Sequence, residues 1–225
     1  MNARIQLFFS ALARCIAGLL IFGLSLFLPA GTMDYPNAWL LIAVLFVPMV
    51  IAGVVMAICA PELLRKRINA KEKEKEQKQV VALSGLMFIA AFVVAGLNFR
   101  FDWGVMPDWL VWPAVVVFLL AYLMYAEVLR ENVYLSRTIE VQENQKVIDT
   151  GLYAVVRHPM YSATILLFLS MPIVLGSLPS FVIMLSYIPI IAKRIKNEEK
   201  VLCEGLEGYK EYQSRVKYKV IPFVW

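Results

Sequence analysis

Two short clusters hold most of the residues in this chain that could do chemistry. The first is R-H-P-M-Y at residues 157–161, with His158 the only histidine in the protein. It stands where polar chain re-enters apolar sequence, a costly place for such groups and one where they mark function. Pro159 suits the first turn of a helix, so His158 falls at or beside the N-cap, where free backbone N–H groups can hold a carboxylate. The second cluster is Arg194, Glu198 and Glu199. Arg194 and Glu198 lie four residues apart and project from one helix face; Glu199 points elsewhere and ranks second. With Tyr153 and Tyr161 as walls, the two clusters make an anion site, a cation site and an aromatic lining. A zwitterionic cofactor with an aromatic base fits such a set.

Each piece alone has a plainer reading. A lone histidine near a membrane surface is more often a structural hydrogen-bonder, and Arg194 with Glu198 is also the pattern of an ordinary surface pair. No zinc-type His/Cys grouping, phosphate-binding loop or G-x-G-x-x-G run occurs, and Ser/His/Asp catalysis has no second support. The clusters therefore need elements that bring them together.

Those elements are apolar. Hydrophobic residues make up 60% of the 225 residues and charged residues 17%, against roughly 45–50% and about 25% in soluble domains. The excess falls in runs, at residues 8–28, 39–60, 80–97 and 109–129, each about long enough to cross a hydrocarbon layer. Arg14 sits early in the first run and can snorkel; without a cleavage signature, that run reads as a retained span. Pro48 should kink the second. From residue 159 the chain is apolar to 175, breaks at G-S-L-P, and is apolar again to 192, which reads as a helical hairpin. The expectation is an all-α, polytopic integral membrane bundle forming one domain. Residues 1–130 form four transmembrane helices and 131–225 a catalytic region with cofactor segment, hairpin and tail. The hairpin makes six crossings, or four plus a shallow re-entrant pair.

Charge sets the orientation. Residues 62–79 carry seven Lys and Arg, residues 130–157 four and the tail from Lys193 eight, whereas the two alternate loops share only Arg100. Positive residues collect on the cytoplasmic side, which places both termini, the 147–161 stretch and the active site there. The same rule accounts for the net charge of +5 without nucleic acid as a partner. In the 62–79 segment Lys71 with Glu74, Glu72 with Lys75, and Lys73 with Glu76 support a solvated helix; interleaved glutamates weaken any attraction to anionic lipid. Cys15, Cys59 and Cys203 have no metal-like spacing.

The order V-Q-E-N-Q-K-V-I-D-T-G-L-Y-A-V-V-R-H-P-M-Y (residues 141–161), an apolar hairpin, R-I-K-N-E-E-K-V-L (194–202) and G-Y-K-E-Y (208–212) resembles the isoprenylcysteine carboxyl methyltransferase family. It is also similar to the related phospholipid N-methyltransferases. The likeness covers about the last 90 residues. It implies an S-adenosylmethionine site built by Gln142, Gln145, Lys146, Val147, Ile148, Tyr153, His158, Pro159, Met160 and Tyr161. It further implies that Glu198 faces the cofactor's amino group and that Arg194 binds the acceptor's carboxylate, the two forming the catalytic pair. The acceptor so implied is a lipophilic or prenylated molecule with a prenylcysteine-like carboxylate, and membrane lipids are the other partner. Ala163 stands where the family often has glycine, which puts acceptor size in question. Two other readings remain at this point: methylation of an amine head group, and a membrane adaptor without catalysis.

Overall fold

The computed structural model describes residues 3–62, 64–65, 75–135, 139 and 141–225. The α-helices among the described residues run in the order α1 (Ala3–Ala30), α2 (Pro36–Cys59), α3 (Lys75–Phe101), α4 (Val111–Glu131), α5 (Pro159–Val174), α6 (Leu178–Met184), α7 (Tyr187–Gly205) and α8 (Tyr209–Arg215). Among the described residues the only β-type pairing is an isolated antiparallel bridge, Val105–Ser177. The Lys/Glu pairs of the 71–76 segment rest on residues and side chains outside those described, as does Arg137.

The four expected spans all form helices, with ends shifted by one to five residues from the expected bounds. Among the described residues, five segments are long and apolar enough to cross a membrane, and α5 is a shorter apolar helix. The outward faces are apolar: Leu20, Ile21, Leu24 and Leu28 on α1, Ile51 and Ile58 on α2, and Leu120 and Leu123 on α4 are more than half exposed. Such a surface is stable against lipid and not against water.

Inside, α4 packs along α5, α1 along α3, and α3 along α6 and α7. Gly96 permits the α1–α3 approach. A β-carbon there would lie 2.3 Å from the Leu26 carbonyl oxygen and 3.1 Å from the Ala30 nitrogen. Small residues at helix crossings serve this purpose in membranes, where packing drives association.

The hairpin turn shows how local sequence sets its depth. After α5, Gly176 takes a left-handed conformation (φ 71°). The Ser177 N–H donates to Pro172 O at 2.9 Å and the Gly176 N–H to Ile173 O at 3.0 Å, the paired bonds of a Schellman stop. Ser177 then caps α6, its hydroxyl accepting from the Ser180 N–H. This tip is tied to the loop between α3 and α4, Met106 N–H donating to Gly176 O (2.9 Å) and Leu178 N–H to Gly104 O (3.0 Å). The Tyr35 hydroxyl, from the loop between α1 and α2, donates to Leu175 O at 2.7 Å. The hairpin tip therefore reaches the end of the bundle opposite residues 157–161. Among the described residues its two arms run between that end and the end that holds residues 157–161, which favours full crossings over a shallow re-entrant pair.

The returning arm is not one straight helix. It breaks between Met184 and Tyr187 because Pro189 lacks an N–H and crowds the carbonyl four residues back, at Leu185. Beyond that break α7 carries the second cluster down to the level of the first.

A polar cleft where the hairpin meets the tail

Glu131, the last residue of α4, anchors the loop that carries the first cluster. Its carboxylate accepts from the Thr150 hydroxyl at 3.0 Å and the Leu152 N–H at 3.2 Å. Gly151 lies between them at φ 48°, and a β-carbon there would sit 2.1 Å from Glu131 Oε1, so only glycine lets the carboxylate so close. A short 3₁₀ turn, Gly151–Ala154, then turns Tyr153 inward. Its hydroxyl accepts from Asn132 Nδ2 at 2.9 Å, and its carbonyl accepts from the Tyr212 hydroxyl at 2.7 Å.

The next residues pair with the C-terminal tail. Arg157 and His158 donate their backbone N–H groups to Tyr218 O and Lys219 O at 2.9 and 2.8 Å. His158 is the N-cap of α5 and Pro159 its first residue, as the sequence predicts.

Beneath this strap lies a buried charge cluster centred on Glu199. Arg157 reaches Glu199 Oε1 through Nε (2.8 Å) and Nη2 (2.7 Å) and donates through Nη1 to the carbonyls of Val216 and Lys217. His158 Nε2 lies 3.2 Å from Glu199 Oε1, and Lys219 Nζ lies 3.0 Å from Oε2. A carboxylate can only accept, so Nε2 is the protonated nitrogen of that pair. The side chains of Arg157 and Glu199 are 4% and 9% exposed. Glu199 does point away from Glu198, as expected, but it is the anchor of the first cluster and not a spare carboxylate.

The open side of the same helix turn is different. Tyr161 donates its hydroxyl hydrogen to Glu198 Oε2 at 2.5 Å and accepts from Arg194 Nε at 2.9 Å. A carboxylate, a phenol and a guanidinium thus form a chain along one wall of a cleft. His158 Nδ1 stands 3.9 Å from Glu198 Oε1, close enough for a charge effect and too long for a hydrogen bond.

The cleft contains about 820 Å³ of space between its walls, part of it open to solvent. One wall is the loop after α4, with Tyr134, Gln145, Lys146, Val147 and Ile148; another is Tyr153, Arg157, His158, Met160 and Tyr161. Arg194, Glu198 and Leu202 come from α7, and Leu206, Tyr209 and Tyr212 close the far side. Burial raises the phenols of Tyr153, Tyr209 and Tyr212 above their ordinary range, so they are neutral groups that can donate hydrogen bonds. Among the described residues, no group of three His, Cys, Asp or Glu side chains is placed to hold a metal ion.

Of the residues expected to build the site, Gln145, Lys146, Val147, Ile148, Tyr153, His158, Met160, Tyr161, Arg194 and Glu198 line this cleft. Two do not. Gln142 shapes the loop, its N–H donating to Gln145 Oε1 and its Nε2 to Tyr134 O; Pro159 serves to start α5. Sequence reasoning missed Lys219 as a partner of Glu199, and Tyr209 and Tyr212 as walls. The Gly208-Tyr209 start of α8, with Gly208 at φ 79°, was the available signal: a left-handed glycine turns the next side chain inward.

Fold and cleft together define a polytopic helical membrane protein with a polar cleft at one end of the bundle. Residues 110–204 match the model of the isoprenylcysteine carboxyl methyltransferase family, the family that the motif order resembles. The chain is also similar to the solved structure of a eukaryotic intramembrane Ras methyltransferase, isoprenylcysteine carboxyl methyltransferase. Identity is 17% over 95% of this chain and 86% of that one, with a TM-score of 0.51. At that identity the likeness establishes the fold. No curated protein matches the chain. A membrane methyltransferase is the identity these findings support.

Proposed function

We propose that the protein is an S-adenosylmethionine-dependent methyltransferase that esterifies the carboxylate of a prenylcysteine-like, lipophilic acceptor. The observation that carries this reading is the Glu198–Tyr161–Arg194 chain on the cleft wall, which sets a carboxylate and a planar guanidinium side by side. The residues present fit the cofactor. Glu198 suits its ammonium group, Tyr134 and Tyr153 with Val147 and Ile148 suit an aromatic base, and the buried Tyr209 hydroxyl has no hydrogen-bond partner among the described residues. When bound, S-adenosylmethionine supplies an electrophilic methyl group on a sulfonium.

The remaining work belongs to the chain. A carboxylate is ionised at neutral pH, so no general base is needed to make the nucleophile. The barrier lies in removing its water and aligning it. Arg194 suits that task because a guanidinium fork binds a carboxylate in one orientation. The Tyr161 hydroxyl fixes Arg194 from one side and Glu198 from the other, so both arrive oriented. His158, held by Glu199, closes the base of the cleft and takes no part in proton transfer. The site lies at the cytoplasmic end of the bundle, where a lipid-borne acceptor enters from the membrane and the cofactor from water.

Calorimetric titration of detergent-purified protein with S-adenosylmethionine tests the reading, with Glu198→Ala alongside. Binding by the parent protein and its loss in the variant is the expected result; no binding by the parent overturns the proposal. Membranes incubated with methyl-labelled cofactor should release the label in base, as an ester does. A base-stable product would reject the carboxylate acceptor in favour of an amine.

A further inference from the structure

Tyr209 is 4% exposed and lines the cleft, yet its hydroxyl is fully buried with no hydrogen-bond partner among the described residues. Its neighbours are otherwise well satisfied. Tyr212, three residues on in the same short helix, donates to the Tyr153 carbonyl, and Tyr153 accepts from Asn132. Tyr161 is bonded on both sides. Leaving a buried hydroxyl unpaired is costly, and a phenylalanine would fill the same space without that cost. The orphan group is therefore placed for something that arrives from outside the chain.

What arrives can be narrowed. Tyr209 packs with Leu206 and Tyr212, against Val147 and Leu202; Glu199, Glu198 and Arg157 lie near enough to act on it by charge, and none of them is hydrogen-bonded to its hydroxyl. Across the cleft stands Glu198, which in the functional reading takes a ligand's ammonium group. A carboxylate attached to the same carbon as that ammonium would be repelled by Glu198 and would need a donor of its own. Of the basic side chains that line the cleft, Arg157 is committed to Glu199 and Arg194 donates to the Tyr161 hydroxyl, which leaves Lys146 on the loop wall as the other cation. A neutral phenol that does not ionise is a suitable donor, because it adds no charge of its own.

We propose that the Tyr209 hydroxyl donates a hydrogen bond to the carboxylate of the cofactor's amino-acid end, making it a cofactor-binding residue beyond the R-H-P-M-Y and E-E clusters. This inference rests on the proposed cofactor. It accounts for the tyrosine at this position, where packing alone calls for phenylalanine, and it gives the G-Y-K-E-Y motif a chemical part in the site.

The test uses Tyr209→Phe in the full-length protein, with calorimetric titration of three ligands: S-adenosylmethionine, S-adenosylhomocysteine and decarboxylated S-adenosylmethionine. The variant should bind the first two roughly 10- to 100-fold more weakly than the parent, the range for losing a hydrogen bond to a charged group. Its affinity for the decarboxylated ligand should match the parent's. Without ligand, the variant should melt at the parent's temperature or above it, since an unpaired hydroxyl has been removed. Equal weakening for all three ligands would overturn the carboxylate assignment. Unchanged binding, or a lower melting temperature without ligand, would overturn any ligand role for the hydroxyl. A parent protein that binds none of the three removes the functional reading itself, an outcome distinct from both.

Discussion

Replacing Glu199 with alanine should destabilise this protein more than any other single carboxylate change. The carboxylate receives Arg157 twice, at 2.8 and 2.7 Å, with His158 at 3.2 Å and Lys219 at 3.0 Å. Removing one member of a buried ion pair leaves the other charge without compensation, at about 3–5 kcal/mol. Arg157, with its side chain only 4% exposed, is that stranded charge. Lys219 can turn to water, being 28% exposed, so it adds little. Val216 and Lys217 carbonyls still accept from Arg157, which holds the cost within that range. At roughly 2–4 °C per kcal/mol for a chain of this size, the midpoint should fall by about 6–20 °C. A thermal melt followed by tryptophan fluorescence in detergent reads this. Hydrogen exchange at the amides of Arg157 and His158, which donate to Tyr218 and Lys219 carbonyls, should accelerate in parallel as the tail detaches. Asp149→Ala is the control: its partner Arg215 is 65% exposed and the pair lies at the surface, so less than about 1 kcal/mol is at stake. If Glu199→Ala melts within the control's range and the two amides stay protected, the buried cluster is not what holds the tail to the site.

Three further outcomes follow from the geometry. Gly96→Ala should separate α1 from α3, because the obstructing Leu26 atom is backbone oxygen at 2.3 Å and cannot swing aside; a loss of about 1–3 kcal/mol is expected, read as a lower melting temperature. Gly151→Ala combines a φ of 48° with a clash against Glu131, so it should cost about 1–3 kcal/mol and weaken cofactor binding by displacing the adjoining Tyr153 turn. The alkaline limb of stability should be steep. Burial raises Tyr153, Tyr209 and Tyr212 in the folded state, while in the unfolded chain a phenol ionises near pH 10. The unfolded state then binds fewer protons than the native one, so stability is full below about pH 10 and declines as pH rises further. Melting temperatures across pH 8 to 11 check this, and a flat profile to pH 11 would contradict it.

The apolar runs were legible because the membrane acts on one-dimensional hydropathy: each run of about twenty residues must pair its backbone internally and so forms a helix wherever it lies. Helix stops were legible too. Gly176 and Ser177-Leu178-Pro179 end one helix and start the next through bonds made within a few residues. Most of the cleft lining was readable from motif order, since His158, Tyr161, Arg194 and Glu198 sit at matching ends of the hairpin. The break at Leu185 was readable in principle from Pro189, but an apolar stretch hides it, because hydropathy does not register a missing N–H.

Other features required the folded chain. Whether Gln142 lines the cleft or shapes its rim depends on a loop turn that brings it against Tyr134 O, a contact with no periodic signal. The depth of the hairpin is decided by Gly104 and Met106 meeting its tip across some seventy residues of chain. The division of labour between Glu198 and Glu199 was only half written in the sequence. Adjacent residues on a helix point about 100° apart, so one had to leave the site. Only the tail, arriving from residues 216–220 with Lys219, determines that the departing carboxylate becomes the anchor of Arg157 and His158. Local composition and periodicity determined the helices, their ends and the two clusters, because those depend on near neighbours and on the solvent. Tertiary structure alone decided which polar atoms among the described residues found partners and which, the Tyr209 hydroxyl among them, were left open, because burial and pairing depend on segments distant in the chain.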